Sequence, residues 1–300
     1  MEPPLLPKFP PPSNNTNWLT QLISLGTYIA LGLLILPNSK IVLSLTFIVL
    51  LHEAGHLVAM RAFHYKDTGI FFIPLLGGLA RGTKREISQK QSVIVLLAGP
   101  LPGILVGILL LSIIPSHYGL TWTGILFIFL NGLNLLPVYP MDGGQLFNRI
   151  FLDEEGNLSR LFKLASTLFL AFVAIKFKLY PLLLFPLLQL WQLRPDKIAD
   201  AIEKSIREEN IPTNLDYQEL PDEDYWKLRT ILIRLHPACK GLSTQTEQYS
   251  ENEQKIQVLI ESLLDRNLIE DLTLWGKLMF GLLWISSLLL SAYFLFLQQP

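Results

Sequence analysis

One cysteine, Cys239, in 300 residues excludes an intramolecular disulfide framework and any zinc site built on paired cysteines. Its surroundings read as those of a small packed side chain, not of a reactive thiol. Charge is scarce as well: Asp, Glu, Lys and Arg make up 16% of the chain, 24 basic against 25 acidic, for a net charge of -1. A chain without a basic excess has no electrostatic footprint for nucleic acid. The start, MEPPLLPKFPPPSNNTNW, has no basic region leading into a short apolar core. It reads as a flexible proline-rich lead over 1–17 and not as a cleaved signal peptide, so the first apolar segment is expected to be retained. Half of the residues are hydrophobic. That is the composition of a polytopic membrane protein carrying some soluble material, not of a globular enzyme.

The apolar runs set the organisation. Residues 18–36, 41–63, 91–114, 121–139 and 272–297 are each long enough, or nearly so, to cross the hydrocarbon core as a helix. The run 91–114 is interrupted by Gly99-Pro100 and Pro102-Gly103, and 121–139 is broken at Pro137 and Pro140. Residues 162–191 form one long bent helix or two in a tight hairpin, and both readings stay open. Residues 67–90 are mixed and suggest short strands broken at Gly77-Gly78. Residues 194–271 are dense in charge and read as a soluble, mostly helical domain, with a C-terminal transmembrane helix in 272–300. The expected architecture is an α-helical polytopic membrane protein. It has about six or seven transmembrane helices, a membrane domain over 18–193, a short membrane-associated strand region and a small soluble helical domain. Arg61, Lys66, Arg81, Lys84, Arg85 and Lys90 cluster after the second run, and Arg149, Arg160 and Lys163 after the fourth. The positive-inside rule puts both loops on the cytoplasmic side, of a cell inner membrane or the equivalent organelle membrane. The loop with His117 then falls on the far side, as a plain interfacial histidine.

Within 41–63 lies His52-Glu53-Ala54-Gly55-His56. On a helix the two histidines stack one turn apart on one face, so both imidazoles can reach a single zinc ion. Glu53, about 100° further round, can act on a water at that ion without being a ligand. Packing alone would leave two imidazoles and a carboxylate in the membrane with nothing gained. His52 is about 13 Å below Arg61 along the helix, which puts the site nearer the cytoplasmic face.

Catalytic zinc takes three protein ligands and keeps one position open. Asp142, in NGLNLLPVYPMDGGQ, follows the break at Pro137 and Pro140, and unwound backbone at membrane depth is tolerated only where it is buried or lines a cavity. The alternative is a helix-capping aspartate. Asp67, Glu86 and Asp153 stand among polar neighbours and are weaker candidates.

Together the two elements resemble the site-2 protease family of intramembrane zinc metalloproteases. That family pairs a His-Glu-x-x-His helix with a distant Asn-x-x-Pro-x-x-x-x-Asp-Gly element. Here Asn134, Pro137, Asp142 and Gly143 stand at that spacing, and Leu97-Ala98-Gly99-Pro100 is similar too. Pro102-Gly103 follow where many members have asparagine, a departure that bears on local helix shape and not on the metal. The resemblance covers 41–147, under half of the chain. It implies that His52, His56 and Asp142 hold one Zn2+ per chain and that Glu53 is the catalytic carboxylate. Asn134 would lie near the substrate or set the broken helix.

The activity implied is zinc-dependent hydrolysis of transmembrane or membrane-proximal segments of membrane proteins, as in regulated intramembrane proteolysis. The partners would be a membrane-protein substrate helix and the lipid bilayer, with no nucleic acid; nothing in the pattern sets an oligomeric state. The resemblance also implies membrane-associated strands that offer an edge to an unwound substrate. Residues 70–79, with Gly77 and Gly78, are the expected place, against the plainer reading of an interfacial loop. Two other functions compete: an inactive relative that binds membrane helices, against which an intact Glu53 speaks, and a metal transporter. A transporter would need polar residues stacked along several helices, and the first, third and last runs are nearly free of ionisable groups.

Overall fold

The structure is a computed structural model. It describes residues 6–10, 18–36, 38–74, 77–84, 86–113, 118–152, 156–192, 197–239, 242, 249–264 and 268–297. Arg85, His117 and Asp153 lie outside the described residues. The chain divides into two compact units, one of residues 15–192 with 268–300 and the other of residues 1–14 with 193–267.

The first unit opens with α1 (Trp18–Ile35) and α2 (Ser39–Ala62). Asn38 caps α2 by accepting the N–H of Lys40 at 3.0 Å, the usual service of an asparagine at that position. Two antiparallel strands follow, β1 (Lys66–Ile73) and β2 (Gly77–Thr83), with Ile70 opposite Ala80 and Phe72 opposite Gly78. Next come β3 (Ile87–Ser88), α3 (Gln89–Ala98) and α4 (Pro100–Ile113). Pro100 and Pro102 lack N–H donors, so the helical hydrogen bonding is interrupted there while the path continues. The unit goes on through α5 (Tyr118–Asn134), α6 (Asp142–Phe151), α7 (Asn157–Lys176) and α8 (Leu184–Gln192).

Residues 162–191 are thus a hairpin of two helices and not one bent rod. The turn carries Lys178 at φ 57 and a 3-10 segment starting at Tyr180-Pro181, and Thr167 on α7 is hydrogen-bonded to Gln189 on α8. Among the described residues five helical stretches are long and apolar enough to cross a membrane, and α5 and the 180–190 segment are shorter apolar helices. The chain is an α-helical, multi-pass membrane protein. Many of its exposed large side chains, such as Leu34, Phe47 and Leu105, lie on these helices, where lipid replaces a protein core.

After the second unit the chain returns as β4 (Leu268–Ile269), and the last helix of the chain, Leu274–Leu297, follows. β4 pairs in parallel with β3. Asp271 then caps α3 from outside, with one oxygen accepting Ser88 Oγ at 2.5 Å and the other the N–H of Lys90 at 2.9 Å. Residues 268–271, expected from sequence to close the soluble domain, therefore belong with the first unit.

The second unit holds α9 (Lys197–Glu208), α10 (Asp222–Leu235) and α11 (Glu253–Leu263), which makes the final helix α12. Its core joins Ile202, Tyr225, Leu228, Ile231, Ile256 and Ile260, with Cys239 buried among them. Arg229 and Glu253 are paired inside it at 2.7 Å, 0% and 1% exposed. Burial alone would raise the Glu253 carboxyl, but hydrogen bonds from Arg229, Tyr225 and Ser250 outweigh it and hold the group below its ordinary range. Its contribution to stability is whole above the ordinary carboxylate range and is lost as pH falls through the lowered value.

The proline-rich lead, read from sequence as flexible, is held over residues 6–10. Leu6 and Phe9 pack against this core, and Trp226 Nε1 donates to the Leu6 carbonyl at 2.7 Å.

Candidate metal centre and active site

On α2 the buried side chains include His52, Glu53, His56 and Met60, one stripe of an otherwise lipid-facing helix. What the stripe packs against is set by glycines. A Cβ on Gly55 would come within 2.0 Å of the Ala98 carbonyl oxygen, and one on Gly99 within 2.3 Å of His56 Nε2. The two helix backbones therefore touch where α3 gives way to α4, as small residues allow in membrane helices. That contact carries His56 Nδ1 to the carbonyl of Val95, 2.7 Å away.

Asp142 arrives from the other side. α5 ends at Asn134, and residues 135–141 are irregular before α6 begins at Asp142. The break is tightly built. A Cβ on Gly143 would lie 2.0 Å from the Leu135 carbonyl oxygen, and one on Gly144 2.4 Å from the Tyr139 nitrogen. The Leu135 carbonyl, left without a helical partner by the break, accepts Trp284 Nε1 of α12 at 2.7 Å. Asp142 does not cap α6, whose N-cap is Met141 with no side-chain cap hydrogen bond; it stands in the first turn, and its carboxylate faces the two histidines.

The geometry is that of a metal centre. Asp142 Oδ2 is 3.0 Å from His52 Nε2 and 3.4 Å from His56 Nε2, and the two Nε2 atoms are 3.1 Å apart. His52 Nδ1 lies 2.8 Å from Asn131 Oδ1, and the Asn131 amide is oriented by its own donation to the Phe127 carbonyl at 2.8 Å. Asn131 Oδ1 and the Val95 carbonyl can only accept, so each Nδ1 carries a proton and each ring offers Nε2 as the nitrogen able to bind a metal. The third atom, Asp142 Oδ2, is buried with no hydrogen-bond partner. Three atoms able to ligate a metal thus converge. A cation serves all three.

Atoms bound to zinc at tetrahedral angles sit roughly 3.3 Å from one another, which the observed separations match. Two imidazoles and one carboxylate, with a position left open, form the donor set of a catalytic zinc site. His52, His56 and Asp142 are the one group of this kind among the described residues.

Glu53 is not part of that group. It is 6% exposed, and its Oε2 accepts the N–H of Ala80 in β2 at 2.7 Å. Gly78 lies against it so closely that a Cβ would come 2.3 Å from Glu53 Cγ. Gly77 starts β2 at φ +113 with open space around it, a conformation that favours glycine. Gly78 is therefore brought to the site and Gly77 is not. Asn134, the last residue of α5, is half-buried, and no described contact links it to the three ligand atoms. The asparagine that reaches them is Asn131, one turn earlier and 1% exposed. Its signal in the sequence is only a polar side chain in an apolar helix. Val95 acts through its backbone and carries no sequence signal.

The fold and the site define a candidate metal centre built on a membrane-type helix. A protein-family model, Peptidase family M50, matches residues 40–119, the stretch carrying both histidines, Glu53 and the strand pair. A zinc metalloprotease of Methanocaldococcus jannaschii is 33% identical over 141 residues, 43% of this chain and 41% of that protein. Stage IV sporulation protein FB of Bacillus subtilis is 34% identical over 131 residues, 41% of this chain and 43% of that protein. The solved site-2 protease from Methanocaldococcus jannaschii is a looser likeness, with a TM-score of 0.40 at 23% identity, over 57% of this chain and 84% of that one. The family match covers His52, Glu53 and His56, and Asp142 and Asn131 lie beyond its end at residue 119. The chain spans about two fifths of the length of the curated relatives it matches.

Proposed function

We propose that the protein is an intramembrane zinc-dependent endopeptidase that cleaves transmembrane or membrane-proximal segments of membrane proteins. The observation that carries this reading is the convergence of three metal-ligating atoms, from His52, His56 and Asp142, beside a buried, oriented Glu53. His52, His56 and Asp142 would hold one zinc ion, which when bound supplies a Lewis acid for the scissile carbonyl and lowers the pKa of a water toward 7.

Glu53 acts as the general base on the attacking water and returns the proton to the leaving amine. The N–H of Ala80 fixes the orientation of its carboxylate while leaving Oε1 for that exchange. Asn131 holds the His52 ring, and Val95 the His56 ring, in the orientation that aims Nε2 inward.

The strand pair supports a place for substrate. A transmembrane helix hides its peptide bonds in its own hydrogen bonds and is attacked only when unwound. On β1 the outward N–H groups of Ile70 and Phe72 are taken by Gln21 and Ser24 of α1, at 3.2 and 3.1 Å. Strand addition is then left to the edge of β2, where Ala80 meets Glu53 and Gly78 keeps side chains out of the way. Asn134 sits at the broken end of α5, from which it would contact substrate.

The function is tested with purified protein in detergent or liposomes and a peptide that forms a membrane helix. Chelation is expected to abolish cleavage, and one equivalent of zinc to restore it. Cleavage that persists at full rate in metal-free protein would overturn the assignment.

The Lys and Arg distribution supports an active site nearer the cytoplasmic face of the membrane. With Cys239 replaced by serine, an impermeant thiol reagent is expected to label Glu86→Cys and Arg160→Cys only from the cytoplasmic side. Ser39→Cys, across α2, should react only from the other. Labelling of Glu86→Cys from outside would invert the topology.

A further inference from the structure

The second unit handles residues 6–10 in the way a peptide receptor handles a ligand. Three aromatic side chains donate to backbone carbonyls of the segment: Trp226 Nε1 to Leu6 at 2.7 Å, Tyr217 OH to Phe9 at 2.7 Å, and Tyr249 OH to Pro7. The Phe9 ring packs edge-on against Tyr249, centroids 5.2 Å apart, and Tyr249 stacks on Trp226 at an interplanar angle of 8°. Pro7 and Pro10 have no N–H to satisfy. The Lys8 N–H donates to Asp222 at 2.9 Å, and Lys8 Nζ donates to the carbonyls of Gln218 and Leu220 at 2.7 and 2.5 Å.

These are the elements of proline-peptide recognition: an aromatic groove, donors spaced to read carbonyls, and an extended ligand whose proline content lowers the entropy lost on binding. The segment pairs with no strand, and more than 180 residues of sequence separate it from the helices that hold it. Its grip is made of side chains that read a backbone shape and one cation. We propose that the groove of Tyr217, Trp226 and Tyr249 is a receptor for extended proline-containing peptides. Residues 6–10 occupy it in cis, and a partner protein's tail of the same Leu-Pro-Lys-Phe-Pro chemistry can enter in their place. This does not depend on the catalytic reading.

The test uses full-length protein with a specific protease site inserted between Ser13 and Asn14, cut after folding, and a fluorescent peptide of residues 3–12. A tethered ligand competes at millimolar effective concentration. The labelled peptide should therefore bind at least roughly tenfold more tightly after the cut than before. The same peptide with Lys8→Glu should lose roughly tenfold or more, since it gives up charge-assisted hydrogen bonds. The paired change Tyr217→Phe and Tyr249→Phe in the protein keeps both rings and should weaken binding several-fold. Cys239, buried in the same unit, reports by its protection from a thiol reagent that the unit is still folded. Three results would overturn the proposal: no saturable exchange after the cut in a folded unit, binding indifferent to Lys8→Glu, or a dimer held by exchanged N-termini, which would make the occupant a second copy of this chain.

Discussion

Glu53→Gln is expected to lower peptide hydrolysis by at least roughly a thousandfold, within the range general acid–base catalysis supplies, while zinc content stays at one per chain. A thousandfold is about 4 kcal/mol of transition-state stabilisation. Glutamine suits the test because the site leaves so little room. Its amide oxygen can still accept the Ala80 N–H that Oε2 accepts at 2.7 Å, and its shape still fits under Gly78. The change removes basicity and little else. Alanine would be a poorer choice, because it strands the Ala80 N–H in a buried place and mixes a folding defect with a catalytic one. Turnover is read from product mass in a preparation free of other proteases. Wild-type turnover in Glu53→Gln would end the assignment of Glu53 as the base, and with it the protease reading.

Much of this site is legible in the chain because membrane burial leaves few explanations for charge. His52, Glu53 and His56 stand out against an apolar run, and helical spacing alone aligns the two rings. Asp142 is legible through the prolines that unwind the chain before it. What fixes these groups is hidden from sequence. The Val95 carbonyl looks like any other, and the motif spacing points to Asn134, whereas the path of α5 brings Asn131 to His52. The glycines show the same limit. Gly55 and Gly99 read as ordinary small residues until the crossing of α2 with α3 makes a Cβ impossible at either. Trp284 lies well over a hundred residues from the site helix, in a run that carries no motif, yet it satisfies the carbonyl at the break that presents Asp142. The hold on residues 6–10 was illegible for a related reason. Prolines signal an absence of helix and strand, and whether such a segment is free or bound depends on a partner surface assembled elsewhere in the chain.

Asp142→Ala is expected to lower zinc affinity at least a hundredfold, whereas Asp67→Ala and Glu86→Ala keep one zinc per chain. The difference lies in what each carboxylate touches. Asp67 and Glu86 are exposed, and Asp67 accepts a hydrogen bond from Thr83 at 3.3 Å. Asp142 Oδ2 is buried with no hydrogen-bond partner, 3.0 Å and 3.4 Å from two imidazole nitrogens. Asn131→Ala should fall between them, losing about 10–100-fold, the usual cost of removing a group that orients a metal-binding histidine. Its loss leaves the ligands in place and frees the His52 ring to turn. Thermal unfolding gives a second readout, independent of activity. A ligand present at about 100 times its Kd stabilises the folded state by roughly 2.7 kcal/mol, so chelation should lower the wild-type melting temperature and scarcely move that of Asp142→Ala. Full zinc content in purified Asp142→Ala would place the third ligand elsewhere.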